Sequence, residues 1–136
     1  MSSFVCLPNA TRIGLHLRPE AAEGFYVRQL NSKFGVEIRA KEGILPQAEL
    51  LSGKDAGTLV AKLAPNQRAV LRMGWIQPYK YQAMLVPNPT LLPIATVQHA
   101  LIVEPKEETE LALFINSHKE VDLTALEWLV RIYLFE

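Results

Sequence analysis

Cysteine is almost absent from this 136-residue chain, in which Cys6 is the only one. A single cysteine excludes an intrachain disulfide and any metal site built from several thiolates. The three histidines, His16, His99 and His118, do not have the short spacing of metal ligands, so we expect no metal ion and no cofactor. The scarcity of cysteine fits a reducing compartment, and we expect an intracellular protein.

An excess of either charge and a long apolar run are also absent. Fourteen basic residues balance fourteen acidic ones, which leaves no overall field to attract a nucleic acid or an anionic membrane. No apolar run approaches the length that crosses a bilayer, and the first residues lack the pattern of a signal peptide. We therefore expect no nucleic-acid partner, no membrane span and no glycan on the Asn9 sequon.

Apolar residues are plentiful, at 49% of the chain, which is enough for one ordinary core. The richest stretch, residues 93–116, contains two apolar runs at 100–103 and 111–115, separated by the mostly charged residues 104–110. Short apolar runs bounded by turn residues are typical of buried strands. This stretch therefore predicts a β-hairpin with an acidic, solvated tip.

Turn residues divide the rest of the chain into many short segments. From Gly35, apolar and charged residues alternate as they do on a strand with one buried face. Further strand candidates lie at 59–63, 68–73 and 79–86, between turn-rich stretches at 52–57 and 64–67. Strands at this spacing predict an all-β, antiparallel sandwich or distorted barrel.

The residues before Gly35 differ from those that follow. They contain two short strand candidates, at 4–7 and 13–17, and a possible helix start at Pro19. We therefore predict an N-terminal extension over residues 1–34 and a β domain over residues 35–136.

The C-terminal run has two possible interpretations. Thr124 and Glu127 have the spacing of a helix capping box, but residues 128–135 are rich in β-branched and aromatic side chains, which favours a buried strand. A strand that is apolar on both faces needs cover on both, and a symmetric partner is one source of cover. The predicted interface residues are Trp128, Val130, Arg131, Ile132 and Leu134. For Arg131 we expect a carboxylate partner across the subunit boundary.

The order of short motifs from residue 35 to residue 135 resembles the trimeric dUTPases. A leucine-proline pair at 45–46 leads into Asp55-Ala56-Gly57, which is similar to the first motif, Asp-Ala-Gly-x-Asp-Leu. Residues 87–92 fall on the second motif, 101–104 on the third and 128–134 on the fourth. The resemblance implies a dUTPase-like, distorted β-barrel with jelly-roll-like connections and a homotrimer.

The positions that carry dUTPase chemistry in that family are replaced. The phosphate-binding arginine and serine of the second motif correspond to Asn88 and Pro89, which cannot supply a fork of fixed positive charge. The segment that holds uracil carries Lys106 and Glu107 and lacks the tyrosine that supports the deoxyribose. We also expect the family's glycine-rich closing arm to be missing.

The catalytic aspartate of the third motif has no settled counterpart. Counting from Ile94 places Glu104 there, whereas counting back from Asn116 places Val103 there. A match that depends on the frame is weak support for a general base.

A retained scaffold with altered chemistry resembles the degenerate dUTPase-like proteins of the adenovirus early region four. That resemblance implies a catalytically inactive viral accessory protein that binds a host protein in the cytoplasm or nucleus of an infected cell. Two alternatives remain open. One is residual dUTP binding or hydrolysis near Asp55 and Glu104, and the other is a structural component of a virion.

Overall fold

The computed structural model describes residues 5–6, 15–17, 25–29, 35–40, 46–99 and 101–135. These residues form fourteen β-strands and two 3-10 helices, at Pro89–Leu91 and Leu123–Ala125, and every strand pairing is antiparallel. The prediction of an antiparallel all-β protein is therefore confirmed. The strands are β1 (Val5–Cys6), β2 (Leu15–Leu17), β3 (Phe25–Gln29), β4 (Gly35–Ala40), β5 (Ala48–Leu50), β6 (Leu59–Val60), β7 (Lys62–Leu63), β8 (Arg68–Ile76), β9 (Gln82–Pro87), β10 (Ala95–Gln98), β11 (Ile102–Val103), β12 (Thr109–Ser117), β13 (Val121–Asp122) and β14 (Val130–Phe135).

Most strands belong to two main sheets. The first sheet has the order β1-β2-β8-β12-β10, with β5 also paired to β8 and β6 paired to β5, and the second has the order β11-β9-β14-β4-β3. Strands β7 and β13 form a separate two-stranded ribbon. Within the described residues neither main sheet closes on itself, and no described helix has the length and apolar character to cross a membrane.

One hydrophobic core joins the two main sheets. On β12, for example, Leu111, Leu113 and Ile115 are buried in that core, whereas Phe114 between them faces outward. This alternation follows from the two-residue period of a strand. A bulge interrupts the pairing of β12 with β8 between Leu111 and Ala112, where Gly74 has a φ of 132°, a conformation that glycine adopts readily.

The predicted hairpin between the two apolar runs is wrong. β11 pairs with β9 in the second sheet, whereas β12 pairs with β8 and β10 in the first. Residues 104–107 form a turn, closed by the bond from Glu107 N to Glu104 O (3.1 Å), in the connection that passes between the sheets. Packed sheets lie about 10 Å apart, so a few residues suffice to cross. Val103 of the first run and Leu111, Leu113 and Ile115 of the second are buried in the core from different sheets, whereas Leu101, Ile102 and Phe114 are exposed.

Several local predictions are confirmed. Gln67 N donates to Ala64 O (3.3 Å) and Asn66 has a φ of 68°, as in a type II turn. β1 and β2 lie within the two N-terminal strand candidates. The predicted strand over residues 59–63 is instead two short strands, β6 and β7, which pair with different partners.

Strands from the predicted N-terminal extension pair with strands of the β domain. β2 pairs with β8 in the first sheet, and β3 pairs with β4 in the second. The possible helix start at Pro19 lies outside the described residues. The division into an extension and a domain stays a prediction.

The strand interpretation of the C-terminal run is confirmed. β14 lies between β9 and β4, and the capping-box region before it forms only the short 3-10 helix Leu123–Ala125. Val130, Ile132 and Leu134 are buried in the core of the single chain. The opposing sheet covers this face of β14, so the burial of these three predicted interface residues does not require a second subunit.

Candidate functional site

The first-motif residues Asp55, Ala56 and Gly57 lie in the exposed loop between β5 and β6. Thr58 N donates to Asp55 O (3.0 Å), and Gly57 has a φ of 93°, in the region that favours glycine. Asp55 borders an open cavity of about 380 Å³ that Lys62 and Glu120 also line. The geometry of a tight turn therefore accounts for the glycine, and Asp55 remains on an accessible surface.

The second-motif residue Asn88 is buried and joins the end of β9 to the start of β14. Its Oδ1 accepts hydrogen bonds from Thr90 N (3.0 Å) and Thr90 Oγ1 (2.8 Å), and its Nδ2 donates to Trp128 O (2.8 Å). Its backbone N–H donates to Leu129 O (3.1 Å). Pro89 is exposed and begins the 3-10 helix that Asn88 caps. Asn88 therefore binds its own chain through both ends of its amide.

The third-motif residues Glu104, Lys106 and Glu107 are exposed. Both carboxylate oxygens of Glu104 accept from Gln82 Nε2 (2.8 and 2.9 Å), and Glu107 Oε2 accepts from Glu104 N (3.3 Å). Lys106 has a φ of 66°, and its N–H donates to Pro78 O (2.6 Å). In the two frames that the resemblance left open, the predicted counterpart of the family's aspartate is therefore either a solvent-facing carboxylate, Glu104, or a buried valine, Val103.

The structure does not bring Asp55 and Glu104 together within one chain. β5, which leads to the Asp55 loop, pairs with β8 at Ala69 and Val70. The connection that contains Glu104 leads into β12 opposite Ile76, at the other end of β8. A strand rises about 3.3 Å per residue, so these two ends of β8 are roughly 20 Å apart.

A buried carboxylate on the outer face of the second sheet was missed by the sequence analysis. Glu37 in β4 is only 1% exposed. It accepts from Arg39 Nε (2.6 Å) and from Arg131 Nε (3.0 Å), and Arg28 Nη1 lies 3.5 Å from its Oε1. The Arg131 guanidinium stacks on the Trp128 ring at 4.2 Å from the ring centre. We call these five side chains the Glu37 cluster.

Alternation along β4 hid this cluster. The apolar neighbours Val36 and Ile38 predicted that Glu37 would face water. The one signal available in the sequence was that Glu37 and Arg131 carry opposite charges. The structure places these two residues opposite each other on the neighbouring strands β4 and β14. The expected carboxylate partner of Arg131 therefore exists, but the prediction that it lies across a subunit boundary was wrong because Glu37 belongs to the same chain.

Opposing effects set the pKa of Glu37. Burial favours the protonated form, but hydrogen bonds and charges from Arg39 and Arg131 outweigh burial and hold the pKa of Glu37 below its ordinary value of 4.5. For Arg131, burial lowers the pKa, and interactions with Glu37 and Tyr133 outweigh it and raise the pKa. A carboxylate that stays ionised between two arginines stabilises the fold and is a poor proton acceptor.

Histidines and acids do not assemble a metal centre in the part of the chain that the structure describes, where no group of three or more potential ligands occurs. His99 Nε2 lies 3.2 Å from Leu85 O, and His118 Nε2 lies 2.7 Å from Thr96 Oγ1.

Comparisons of this chain with protein-family models, curated proteins and solved structures found no match.

Proposed function

We propose that this chain is a catalytically inactive, dUTPase-like viral accessory protein that binds a host protein through its β scaffold. The observation that carries this proposal is the position of Asn88. Where dUTPases hold phosphate, this chain places a buried amide whose hydrogen bonds all go to its own backbone and to Thr90.

The proposal includes a dUTPase-like barrel with jelly-roll-like connections and a homotrimer. Two antiparallel sheets around one core are compatible with that architecture. With Val130, Ile132 and Leu134 in the core of the single chain, we place the subunit contacts on exposed surface. We expect light scattering at micromolar protein to give three times the 15.3 kDa mass of one chain. A monodisperse monomer would contradict the trimer.

A partner surface is available at the edge of the second sheet. β11 is an edge strand, and Leu101 and Ile102 there are 57% and 52% exposed. Large apolar side chains left exposed at the edge of a sheet are candidates for contact with another protein. Ile102 lies opposite Met84 on β9, and the acidic residues 104–110 follow directly. We therefore place the host-protein site at this edge.

Catalysis provides the first test of the proposal. We expect no pyrophosphate release from dUTP with Mg²⁺, because losing oriented positive charge at the phosphates typically costs about 10²–10³ in rate. A sensitive phosphate assay with added pyrophosphatase, and an authentic dUTPase as the positive control, measures this. Turnover on the order of 1 s⁻¹, which is ordinary for an enzyme, would exclude a pseudoenzyme.

Partner binding provides the second test. We expect the double variant Leu101→Asp and Ile102→Asp to lose specific host proteins that the unchanged chain recovers from an extract of host cells, because charges at the edge disrupt an apolar contact. Leu59→Asp is the matched control, since Leu59 is equally exposed at 56% but lies on β6. Quantitative mass spectrometry of the recovered proteins compares the two variants. Equal recovery by both would place the host-protein site elsewhere.

A further inference from the structure

A shallow groove of about 280 Å³ crosses the outer face of the first sheet and takes no part in the proposed function. Strand pairing arranges its side chains in two rows across β8, β12 and β10. The first row is Arg68, Asn116 and Thr96; in the second row Phe114 and Gln98 line the groove, whereas Val70 opposite Phe114 is buried and does not. Residues two apart on a strand share a face, so the rows lie side by side about 7 Å apart.

Phe114 makes the groove unlike an ordinary polar sheet face. It is 43% exposed, although Leu113 and Ile115 beside it are buried. An exposed phenyl ring has a flat, electron-rich face that attracts the polarised hydrogens of a ligand. On either side, the amides of Asn116 and Gln98 each offer two donors and one acceptor. The groove therefore combines an aromatic platform with groups that hydrogen-bond in both directions.

Arg68 supplies the only formal charge among the described residues that line the groove. In the described part of the chain it forms no ion pair. Among the described residues, the nearest acid on the same face by strand pairing is Glu49 on β5. It lies opposite Val70, on the side away from Phe114. Charge complementarity therefore favours an anion with one negative charge, and a guanidinium matches the planar fork of a carboxylate.

The size and the polar groups limit the ligand further. The volume lies just below the usual range for ligand sites, which suits one ring and leaves little room for a nucleoside triphosphate. A single cation also suits one carboxylate better than a phosphate with two charges. Hydroxyl groups both donate and accept, as side-chain amides do, and Thr96 Oγ1, held by His118, adds a third polar contact.

We propose that this groove binds an acidic sugar unit, a pyranose ring that carries one carboxylate. The ring stacks its C–H face on Phe114, the carboxylate pairs with Arg68, and the hydroxyl groups bind Asn116, Gln98 and Thr96. The site is independent of the dUTPase-like motifs, since none of Asp55, Asn88 and Glu104 lines it.

Titration of the isotope-labelled protein tests the proposal, with glucuronate, glucose and dUMP as separate probes. We expect glucuronate to give saturable amide shifts in residues 68, 96–98 and 114–116, with a Kd on the order of 1 mM for a single small ring. Glucose, which lacks the carboxylate, should bind about fivefold more weakly. Equal binding of the two sugars, shifts elsewhere in the chain, or tighter binding of dUMP would overturn the proposal.

Four variants assign the contacts. Phe114→Ala should weaken glucuronate binding about tenfold, and Arg68→Gln should remove the preference for glucuronate over glucose. Glu49→Gln should strengthen glucuronate binding about twofold because a nearby negative charge is removed. Arg72→Gln is the matched control, since Arg72 lies on the same strand, outside the groove, and pairs with Glu110 at 2.6 Å. Retained amide dispersion shows that each variant is folded, and an equal loss from Arg72→Gln would overturn the assignment.

Discussion

Val130→Asp is expected to prevent the chain from folding. Val130 is fully buried, and it pairs with Ile38 on β4 and Pro87 on β9 at the centre of the second sheet. The described core around this place contains no cation that could pair with a carboxylate. Burying an unpaired charge costs several kcal/mol out of a total stability of about 5–15 kcal/mol. Circular dichroism and amide dispersion should both report an unfolded chain.

Val130→Ala is the control for that experiment. It removes two methyl groups, leaves no charge and should lower the free energy of unfolding by about 2 kcal/mol without loss of the fold. A folded Val130→Asp chain that has lost only its oligomeric state would contradict core burial and return Val130 to a subunit interface. Light scattering on the folded fraction separates the two outcomes.

Removing the charge of Glu37 should destabilise the chain nearly as strongly. Glu37→Gln keeps the size of the side chain but leaves Arg39 and Arg131 without their shared carboxylate, and breaking a buried pair typically costs about 3–5 kcal/mol. The two arginine side chains are 17% and 34% exposed, so water can partly replace the lost partner. We therefore expect the free energy of unfolding to fall by about 3 kcal/mol, near the lower end of that range, when it is measured by urea denaturation at pH 7.

Glu127→Gln is the matched control within the same network. Glu127 pairs with Arg39 at 3.1 Å, but its side chain is 76% exposed, and surface pairs contribute about 0–1 kcal/mol. Each of the two variants, Glu37→Gln and Glu127→Gln, thus removes one negative charge that pairs with Arg39. If both variants lowered the free energy of unfolding by similar amounts, the burial of Glu37 would add no stability to the ion pair.

The contribution of the Glu37 carboxylate to stability should depend on pH in the acid range. The pKa of Glu37 is lower in the folded chain than its ordinary value of 4.5, so its ionised form stabilises the fold above that pH. This contribution is lost as the pH falls through 4.5 toward the folded pKa. A glutamine side chain cannot titrate, so the difference in unfolding free energy between the unchanged chain and Glu37→Gln should shrink below pH 4.5. A difference that stays constant from pH 7 to pH 3 would contradict the assignment.

The local sequence pattern predicted the strands and turns that depend on a single segment of the chain. The alternation from Gly35, the turn at 64–67 and the β-branched C-terminal run each predicted an element that the structure contains. Backbone conformation responds to neighbouring residues, so these elements follow from side-chain periodicity and turn chemistry. The antiparallel all-β class was predictable for the same reason.

Each candidate site is formed by residues that are far apart in the sequence, so the local pattern did not predict it. Asn88 was recognised as unfit to hold phosphate, but its bond to the Trp128 carbonyl required β9 and β14 to lie side by side. The exposed Phe114 groove was not foreseen, because an apolar run of five residues predicts burial of every member. Only the two-residue period of β12 within a sheet turns one of them outward.

The sequence by itself determined that this chain forms many short antiparallel strands and that Asn88 and Pro89 supply no fixed positive charge. Only the tertiary structure decided that β11 and β12 belong to different sheets, that Glu37 is the partner of Arg131, and that Val130 is covered by its own chain. The physical reason is that a strand's hydrogen-bonding edges are satisfied by whichever strand packs beside it. Which strand becomes the neighbour depends on how the apolar faces of the two sheets pack over one core. Segments that are dozens of residues apart in the sequence determine that packing together.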